Sequence, residues 1–337
     1  MKAFFHPSQD LHVPKTYFTR GQMREPQEVP ARTELMLEGL KELGISVLQP
    51  ADQGAGPISR VHDLGYLRFL ESAHRRWQEM GDWGDEVMSN IFVRSPNAMK
   101  GVLAEAARYL ADGSCPIGEH TWTAAYWSAQ SALGAADALI AGDRTAYAVC
   151  RPPGHHARKD AAGGFCYLNN AAIAAEHLRR RFGKVAILDS DMHHGQGIQE
   201  IFYDRSDVLY VSIHGDPTNF YPVVTGYEDE RGEGEGYGYN INLPMPHGSS
   251  EAYFFDKVQE ALTAIRLYQP DVLILTLGFD VYENDPQAKV SVTSEGFHRL
   301  SQAVSELRLP TLIVQEGGYD LEALSTNVKQ FFQDLVD

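Results

Sequence analysis

The chain has few of the features that mark secreted, membrane or disulfide-bonded proteins. It has only three cysteines in 337 residues, Cys115, Cys150 and Cys166, an odd number without metal-binding spacing. No apolar run reaches the roughly 18 residues of a membrane span, and the first residues lack the apolar core of a signal peptide. These absences predict a cytoplasmic, reduced protein with no membrane partner.

Basic residues are also scarce. The sequence carries 29 Lys and Arg against 45 Asp and Glu, a formal net charge of −16. A nucleic-acid-binding protein needs a basic face, so the charge balance excludes nucleic acid as a partner. The negative charge suits a small cationic substrate, but it equally serves solubility, and charge alone does not identify the substrate.

Linkers, low-complexity tracts and internal repeats are missing as well, so we expect a single domain over residues 1–337. From residue 145 onward, apolar runs alternate with amphipathic segments. This rhythm predicts a doubly wound, mostly parallel α/β sheet with helices on both faces. The predicted strands are 145–151, 184–189, 208–214, 271–278 and 309–315, and the predicted helices are 169–182, 249–268, 293–307 and 321–335.

The first 144 residues are less regular. Residues 1–31 are rich in Pro, Gly and charge, which predicts loops with little regular structure. A strand is predicted at 45–48 and a long structured loop at 81–97. Further helices are predicted at 33–43, 64–80, 98–110 and 123–141.

The strongest chemical signal is the run Asp-Ser-Asp-Met-His-His-Gly-Gln-Gly at residues 189–197, directly after a predicted buried strand. Side chains alternate faces along a strand, so Asp189, Asp191 and His193 share one side. Burying two carboxylates without a cation or donors would cost several kcal/mol each. The cluster therefore indicates a metal site, and the following glycines allow the chain to turn tightly away from it.

Three other predicted strands also end on groups that carry chemistry. The tandem His155 and His156 follow the strand at 145–151, Asp280 follows the strand at 271–278, and Tyr319 follows the strand at 309–315 on a Gly-Gly turn. Because ligands bind beyond the carboxyl ends of parallel strands, we expect these groups to meet.

The ordered motifs resemble those of the histone deacetylase superfamily, and most closely its bacterial acetylpolyamine amidohydrolase branch. They are Arg-Pro-Pro-Gly-His-His at 151–156, Gly-Gly-Phe-Cys-Tyr-Leu-Asn-Asn at 163–170, Asp-x-Asp-x-His-His-Gly at 189–195, Gly-x-Asp-x-x-x-x-Asp-Pro at 278–286 and Glu-Gly-Gly-Tyr at 316–319. The resemblance is strongest from residue 147 to residue 320. It implies an arginase/deacetylase-like fold and a metal-dependent amidohydrolase.

The resemblance implies a role for each residue at the strand ends. Asp191, His193 and Asp280 match the ligands of a catalytic Zn²⁺, although Fe²⁺, Co²⁺ or Mn²⁺ also suit this oxygen-rich set. The matching catalytic residues are His156 as the general base and then acid, His155 as its electrostatic partner, and Tyr319 as the hydrogen-bond donor to the developing oxyanion.

Asp189 matches a position that contributes to a structural K⁺ or Na⁺ site in the superfamily. That site would use Asp189, Asp191, His193 and Ser212, through backbone oxygens as well as the Ser212 hydroxyl. Alternatively, Asp189 is a carboxylate that orients the histidines, and both roles are compatible.

The resemblance also implies a thin substrate channel. Phe165 and Tyr221 would form its walls, and the Gly164 carbonyl would accept the scissile N–H. Residues 80–120 match an insertion at the channel entrance and at the interface of a homodimer. Within it, Glu119 is a candidate partner for the distal ammonium of a small cationic substrate.

The expected reaction is hydrolysis of the acetyl amide of acetylputrescine, acetylcadaverine or acetylspermidine to acetate and free amine. Lysine deacetylation on proteins or peptides is the alternative with the same site. An arginase-like ureohydrolase would leave Tyr319 and the tandem histidines without a role, and an intact site argues against a non-catalytic binder. Gln196 departs from the pattern, because relatives usually carry Asp or Asn there.

Overall fold

A computed structural model describes residues 1–93 and 99–336 of the chain. The strands are β1 (Lys2–Phe4), β2 (Tyr17–Thr19), β3 (Gln22–Arg24), β4 (Ser46–Leu48), β5 (Thr145–Ala148), β6 (Val185–Asp189), β7 (Val208–Gly215), β8 (Asn240–Met245), β9 (Ser249–Ser250), β10 (Val272–Leu277), β11 (Val290–Ser291) and β12 (Thr311–Gln315). The helices are α1 (Ala31–Glu42), α2 (Leu64–Gln78), α3 (Val102–Tyr109), α4 (Thr121–Ile140), α5 (Asn170–Leu178), α6 (Gln196–Phe202), α7 (Glu251–Tyr268), α8 (Ser294–Ser305) and α9 (Leu324–Phe332).

A parallel sheet forms the centre of the molecule. Over the described residues its strand order is β4-β1-β5-β12-β10-β6-β7-β8, and each neighbouring pair is parallel. The strands β6, β10 and β12 are buried along their whole length. Burial on both faces explains why these strands read as continuous apolar runs rather than as alternating patterns.

Helices cover both faces of this sheet. In β6, Val185 and Ile187 face one apolar layer, which is closed by α2, α3, α4, α5 and α6. Ala186 and Leu188 face the opposite layer, which is closed by α1, α7, α8 and α9. The predicted α/β class and its arrangement of helices are confirmed.

The strand order creates a crevice between β6 and β10. The chain continues from β6 outward to β7, whereas it continues from β10 to β12 on the other side. The connections after these two neighbouring strands therefore diverge, which is the place where doubly wound sheets bind ligands.

The sequence-based prediction is wrong in the N-terminal segment. Residues 1–31 contain β1, which pairs with both β4 and β5 inside the main sheet. They also contain the antiparallel hairpin β2–β3. The predicted helix at 98–110 is present as α3 from Val102; residues 94–98 of that prediction and of the loop at 81–97 lie outside the described residues.

Two predicted absences can be compared with the structure. Within residues 1–93 and 99–336, no helix is both long and apolar enough to span a membrane. Cys115, Cys150 and Cys166 are all buried and unpaired. Burial raises the pKa of each thiol above its ordinary value, so these cysteines are inert and suited to packing.

Candidate metal centre and active site

Asp191, His193 and Asp280 form a compact group beyond the carboxyl ends of β6 and β10. Their potential ligand atoms all lie within 4.8 Å of one another, and all three residues are buried. His193 Nδ1 lies 3.3 Å from Asp191 Oδ1 and 3.1 Å from Asp280 Oδ2. Tetrahedral coordination at about 2.0–2.2 Å separates ligand atoms by about 3.3–3.6 Å, so the donor set fits a divalent metal.

The remaining carboxylate oxygens of this cluster are held by the backbone. Asp191 Oδ2 accepts a hydrogen bond of 2.8 Å from the Gly317 N–H, and Asp280 Oδ1 accepts one of 3.0 Å from the Met192 N–H. A Cβ on Gly317 would stand 2.6 Å from Asp280 Oδ2. The glycine in the Glu-Gly-Gly-Tyr turn is thus needed for clearance beside the cluster.

The glycines after the histidine pair also provide clearance, at a tight turn of the backbone. Gly195 has an ordinary φ of −79° and lies at the start of α6. A Cβ there would stand 2.5 Å from Asp189 Oδ2, and a Cβ on Gly197 would stand 2.2 Å from the Ala157 carbonyl oxygen. The expected tight turn is present, because the Gln196 N–H donates to the His194 carbonyl oxygen at 3.0 Å across Gly195, and the absence of a Cβ leaves room for it.

The cluster is electrostatically suited to a cation. Burial lowers the pKa of His193, but the hydrogen bonds that its ring can donate to Asp191 and Asp280 outweigh burial and raise the pKa to about 9. Burial, reinforced by the nearby Asp191 charge, raises the pKa of Asp280 to about 7. Two like charges in one buried site are unfavourable unless a cation lies between them, which is the condition a divalent metal satisfies.

The tandem histidines have different partners. His155 Nδ1 lies 3.0 Å from Asp189 Oδ2, which also accepts a hydrogen bond of 2.8 Å from the Tyr210 hydroxyl. His156 Nδ1 lies 2.6 Å from the side-chain oxygen of Gln196. The two rings lie 3.8 Å apart between centroids. One histidine is therefore tied to a carboxylate and the other to a neutral amide.

The different surroundings of His155 and His156 shift the pKa values of the two rings in opposite directions. Burial lowers the pKa of His155, but Asp191 and Asp189 outweigh it and raise the pKa to about 10. Burial, together with the neighbouring positive charge of His155, holds the pKa of His156 well below 6.5. At neutral pH, His155 is an imidazolium and His156 is a neutral imidazole that can accept a proton.

Tyr319 is held by a buried ionic cluster that sequence reasoning missed. The Arg32 guanidinium lies 4.8 Å from the Tyr319 ring centroid and donates to the carbonyl oxygens of Gly318 and Glu316, both at 2.6 Å. Glu28 lies 3.0 Å from Arg32 and 2.8 Å from Arg151. Burial raises the pKa of the Tyr319 phenol well above 10, so the hydroxyl remains a hydrogen-bond donor.

A cavity of about 540 Å³ leads to the cluster. Phe165 has a left-handed φ of 68°, a strained conformation that places its ring 6.0 Å from that of Tyr319. The ring of Tyr221 lies edge-on 4.8 Å from that of His156. The cavity is lined by Tyr17, Thr19, Arg20, Arg24, Gln27, Ser114, His156, Gly164, Phe165, His193, Asn219, Tyr221, Val223, Pro286, Gln287 and Tyr319.

Two predicted site residues are less directly connected to this cavity. Glu119 lines a separate surface depression with His12 and Lys15, and its side chain is 76% exposed. Ser212 is the register partner of Asp189 in the neighbouring strand, and its hydroxyl lies 2.8 Å from His214 Nδ1. Both Asp189 oxygens already accept hydrogen bonds, and one of these oxygens lies 3.0 Å from His155 Nδ1, as expected for a carboxylate that orients this histidine.

A parallel α/β sheet with this carboxylate–imidazole cluster and tandem histidines beyond its strand ends defines a class of metal-dependent hydrolases. The chain belongs to the histone deacetylase family: the histone deacetylase domain model matches residues 26–335. Family membership implies a divalent metal, and the chain is an amidohydrolase. The predicted resemblance is confirmed.

Individual relatives agree with this assignment. The chain is 66% identical over 333 residues to an acetylpolyamine amidohydrolase of Burkholderia pseudomallei (strain 1710b), covering 98% of both sequences. It is 37% identical to an acetylpolyamine amidohydrolase of Mycoplana ramosa, covering 97% of each. A crystal structure of acetylpolyamine aminohydrolase from Burkholderia pseudomallei superposes with a TM-score of 0.98 at 66% identity, covering 98% of this chain and 97% of that one.

Proposed function

We propose that the protein hydrolyses the acetyl amide of acetylated polyamines and diamines, using Zn²⁺ held by Asp191, His193 and Asp280. The observation that carries this proposal is the cavity bounded by the rings of Phe165 and Tyr221, which leads to the cluster beside His156 and Tyr319. A thin aromatic channel suits an acetyl group on an unbranched alkyl chain. The names of the curated relatives support the substrate class.

The chain's own groups supply the proton transfers. When bound in such a site, a divalent metal polarises the amide carbonyl and acidifies water. Neutral His156 takes the proton of the attacking water and then delivers it to the leaving nitrogen. The charged His155 beside it keeps the resting His156 neutral, because a second positive charge so close is unfavourable.

Two further groups position the amide. The Tyr319 hydroxyl donates a hydrogen bond to the carbonyl oxygen as negative charge develops on it. The Gly164 carbonyl oxygen accepts the amide N–H, and Phe165 and Tyr221 enclose the alkyl chain. The C–N bond breaks, the acyl carbon gains the water oxygen, and the products are acetate and the free amine.

The distal ammonium of the substrate needs an acidic partner that the lining of the cavity does not provide. Among the described residues the lining includes Arg20 and Arg24 but no Asp or Glu. We propose that the segment 80–120 forms a homodimer interface that brings Glu119 of one copy to the entrance of the other. The exposure of Glu119 in the single chain fits a residue that acts across such an interface.

A Glu119→Gln change is expected to raise KM for N-acetylputrescine by up to about fivefold, because an exposed ion pair contributes up to about 1 kcal/mol. It should leave KM for N-acetylbutylamine, which lacks the distal ammonium, unchanged. Steady-state kinetics with both amides measure this difference, and Glu228→Gln on an exposed loop is the matched control. Equal effects on the two amides would contradict the role of Glu119.

The supporting features of the enzyme are also proposals. A structural K⁺ or Na⁺ is proposed at Asp189, Asp191, His193 and Ser212. The whole chain is proposed to act as one domain in the cytoplasm, which the unpaired cysteines support.

The substrate class is tested with a panel of acetylated amines after zinc reconstitution. We expect kcat/KM for N-acetylputrescine, N-acetylcadaverine or N-acetylspermidine to exceed that for an acetyl-lysine peptide by about a hundredfold, a difference of ~2.7 kcal/mol. Acetate release measures turnover for all four. Faster turnover of the peptide would instead favour the protein or peptide lysine deacetylase.

A further inference from the structure

Gln196, the residue that departs from the family pattern, belongs to a continuous chain of hydrogen bonds. Its side-chain oxygen lies 2.6 Å from His156 Nδ1, and its side-chain nitrogen donates to the Tyr221 hydroxyl at 3.0 Å. The Tyr221 hydroxyl donates to Asp112 Oδ2 at 2.7 Å. These three hydrogen bonds thus connect Asp112, just after α3, to the histidine that faces the catalytic cavity.

Which group donates and which accepts in each of these hydrogen bonds follows from the hydrogens that each group carries. The Asp112 carboxylate only accepts hydrogen bonds, and it already accepts the N–H groups of Ser114 and Gly164 at 2.8 and 3.3 Å. The single hydrogen of the Tyr221 hydroxyl is therefore directed at Asp112. The oxygen of Tyr221 then accepts from the Gln196 amide nitrogen.

The orientation of the Gln196 amide determines the tautomer of His156. With its nitrogen turned toward Tyr221, Gln196 presents its oxygen to His156, so Nδ1 must carry the proton. Because the pKa of His156 is held well below 6.5 by burial, the ring is neutral, and Nε2 then has the free lone pair. A flipped amide would present an NH₂ group to Nδ1 and favour the tautomer that is protonated on Nε2.

An amide beside a histidine does not fix the tautomer by itself, because its two ends are nearly the same size and only their hydrogen bonds differ. An Asp at position 196 would fix it directly, since both carboxylate oxygens accept. Here the required carboxylate lies two hydrogen bonds away, at Asp112. The Tyr221 hydroxyl transmits its effect, which a phenylalanine in the same channel wall could not do.

We infer that Asp112 and Tyr221 are positioning residues that fix the Gln196 amide and thereby keep His156 in the tautomer that can accept a proton on Nε2. The effect on turnover rests on the proposed function, whereas the tautomer is a property of the protein alone. Asp112 does not line the cavity, so it acts through Tyr221 and Gln196 rather than on the substrate. Asp112 also ties the segment 80–120 to the Gly164 loop.

The kinetic test compares Tyr221→Phe, Asp112→Ala and the double variant on N-acetylputrescine. Tyr221→Phe keeps the ring of the channel wall, so we expect kcat to fall about tenfold to a hundredfold while KM changes less than about twofold. If both residues act through the same series of hydrogen bonds, the double variant has about the kcat of Tyr221→Phe alone. Tyr237→Phe and Asp229→Ala, both at exposed positions, are the matched controls.

The second test reads the tautomer directly and needs no substrate. In zinc-loaded protein with ¹⁵N-labelled histidine, two-bond ¹H–¹⁵N correlations distinguish protonation on Nδ1 from protonation on Nε2, and the His156 signals are assigned by their loss in His156→Ala. We expect the Nδ1-protonated form in the parent protein and in Tyr237→Phe, and a mixture in Tyr221→Phe.

An Nε2-protonated ring in the parent protein, or a pattern unchanged by Tyr221→Phe, overturns the inference. Reductions in kcat that simply multiply in the double variant also contradict it. A protein inactive on acetylputrescine but with the expected tautomers refutes only the proposed function.

Discussion

Replacing Asp280 with alanine is expected to abolish both metal binding and turnover. The change removes one of the three proposed ligands and leaves Asp191 and His193, which cannot complete a catalytic site for a divalent metal. The metal supplies several kcal/mol of transition-state stabilisation, so kcat/KM should fall by about 10³-fold or more. Metal content after dialysis, measured by atomic emission, and acetate release from N-acetylcadaverine check the two effects separately.

A thermal shift distinguishes loss of the metal from loss of the fold. Metal that binds only the folded protein stabilises it by about 2.7 kcal/mol at a hundredfold excess over Kd, which raises Tm by about 4 °C for a chain of this size. Zinc should raise the Tm of the parent protein and leave that of Asp280→Ala unchanged. Full metal content with full activity in the variant would refute the assignment of the ligands.

Tyr319→Phe is expected to lower kcat by about 10²–10³-fold while metal content and KM stay close to those of the parent enzyme. The ring contacts with Arg32 and Phe165 do not require the hydroxyl, so packing is preserved. In the proposed mechanism, the change removes one donor to the developing oxyanion, and such a donor contributes about 2.7–4 kcal/mol in comparable sites. Single-turnover kinetics on the zinc-loaded variant measure the chemical step.

The matched control for this change is Tyr282→Phe, a half-buried tyrosine outside the cavity lining. Its kcat should stay within about twofold of the parent value. A Tyr319→Phe enzyme that retained more than a third of the parent kcat would show that another group stabilises the oxyanion.

The sequence predicts best those strands that are buried on both faces, because their residues are then almost all apolar. The strands β6, β10 and β12 are buried on both faces, and each appears as an apolar run. The strand β1 was missed because the Pro, Gly and charged residues of segment 1–31 indicated loops, and its strand character comes from pairing with β4 and β5. The edge strand β8 was missed because it carries polar Asn240 and Asn242 as well as Pro244.

The same distinction applies to the site. Strand ends converge in a parallel sheet, so Asp191, His193 and Asp280 could be expected to lie near one another. The resemblance to the histone deacetylase superfamily then separated them, as expected ligands, from Asp189. Asp112 gave no signal, since its contact with Tyr221 spans 109 positions and depends on the fold of two loops. The residues next to Arg32 in the sequence do not distinguish it from other helical arginines. Its contacts with the buried turn before Tyr319 depend on the fold.

The separation of the metal ligands along the chain has a kinetic consequence. Asp280 follows His193 by 87 positions, and their strands become neighbours only when β10 pairs with β6. Bringing together segments so far apart is slow, because the entropy of closing the long intervening loop is lost before the contacts form. An unfolded chain therefore offers no preassembled set of donors, and metal capture requires β6 and β10 to have paired. When the protein refolds in the presence of a zinc-loaded fluorescent indicator, it takes up zinc from the indicator. The rate of the fluorescence change would then follow the formation of that strand pair.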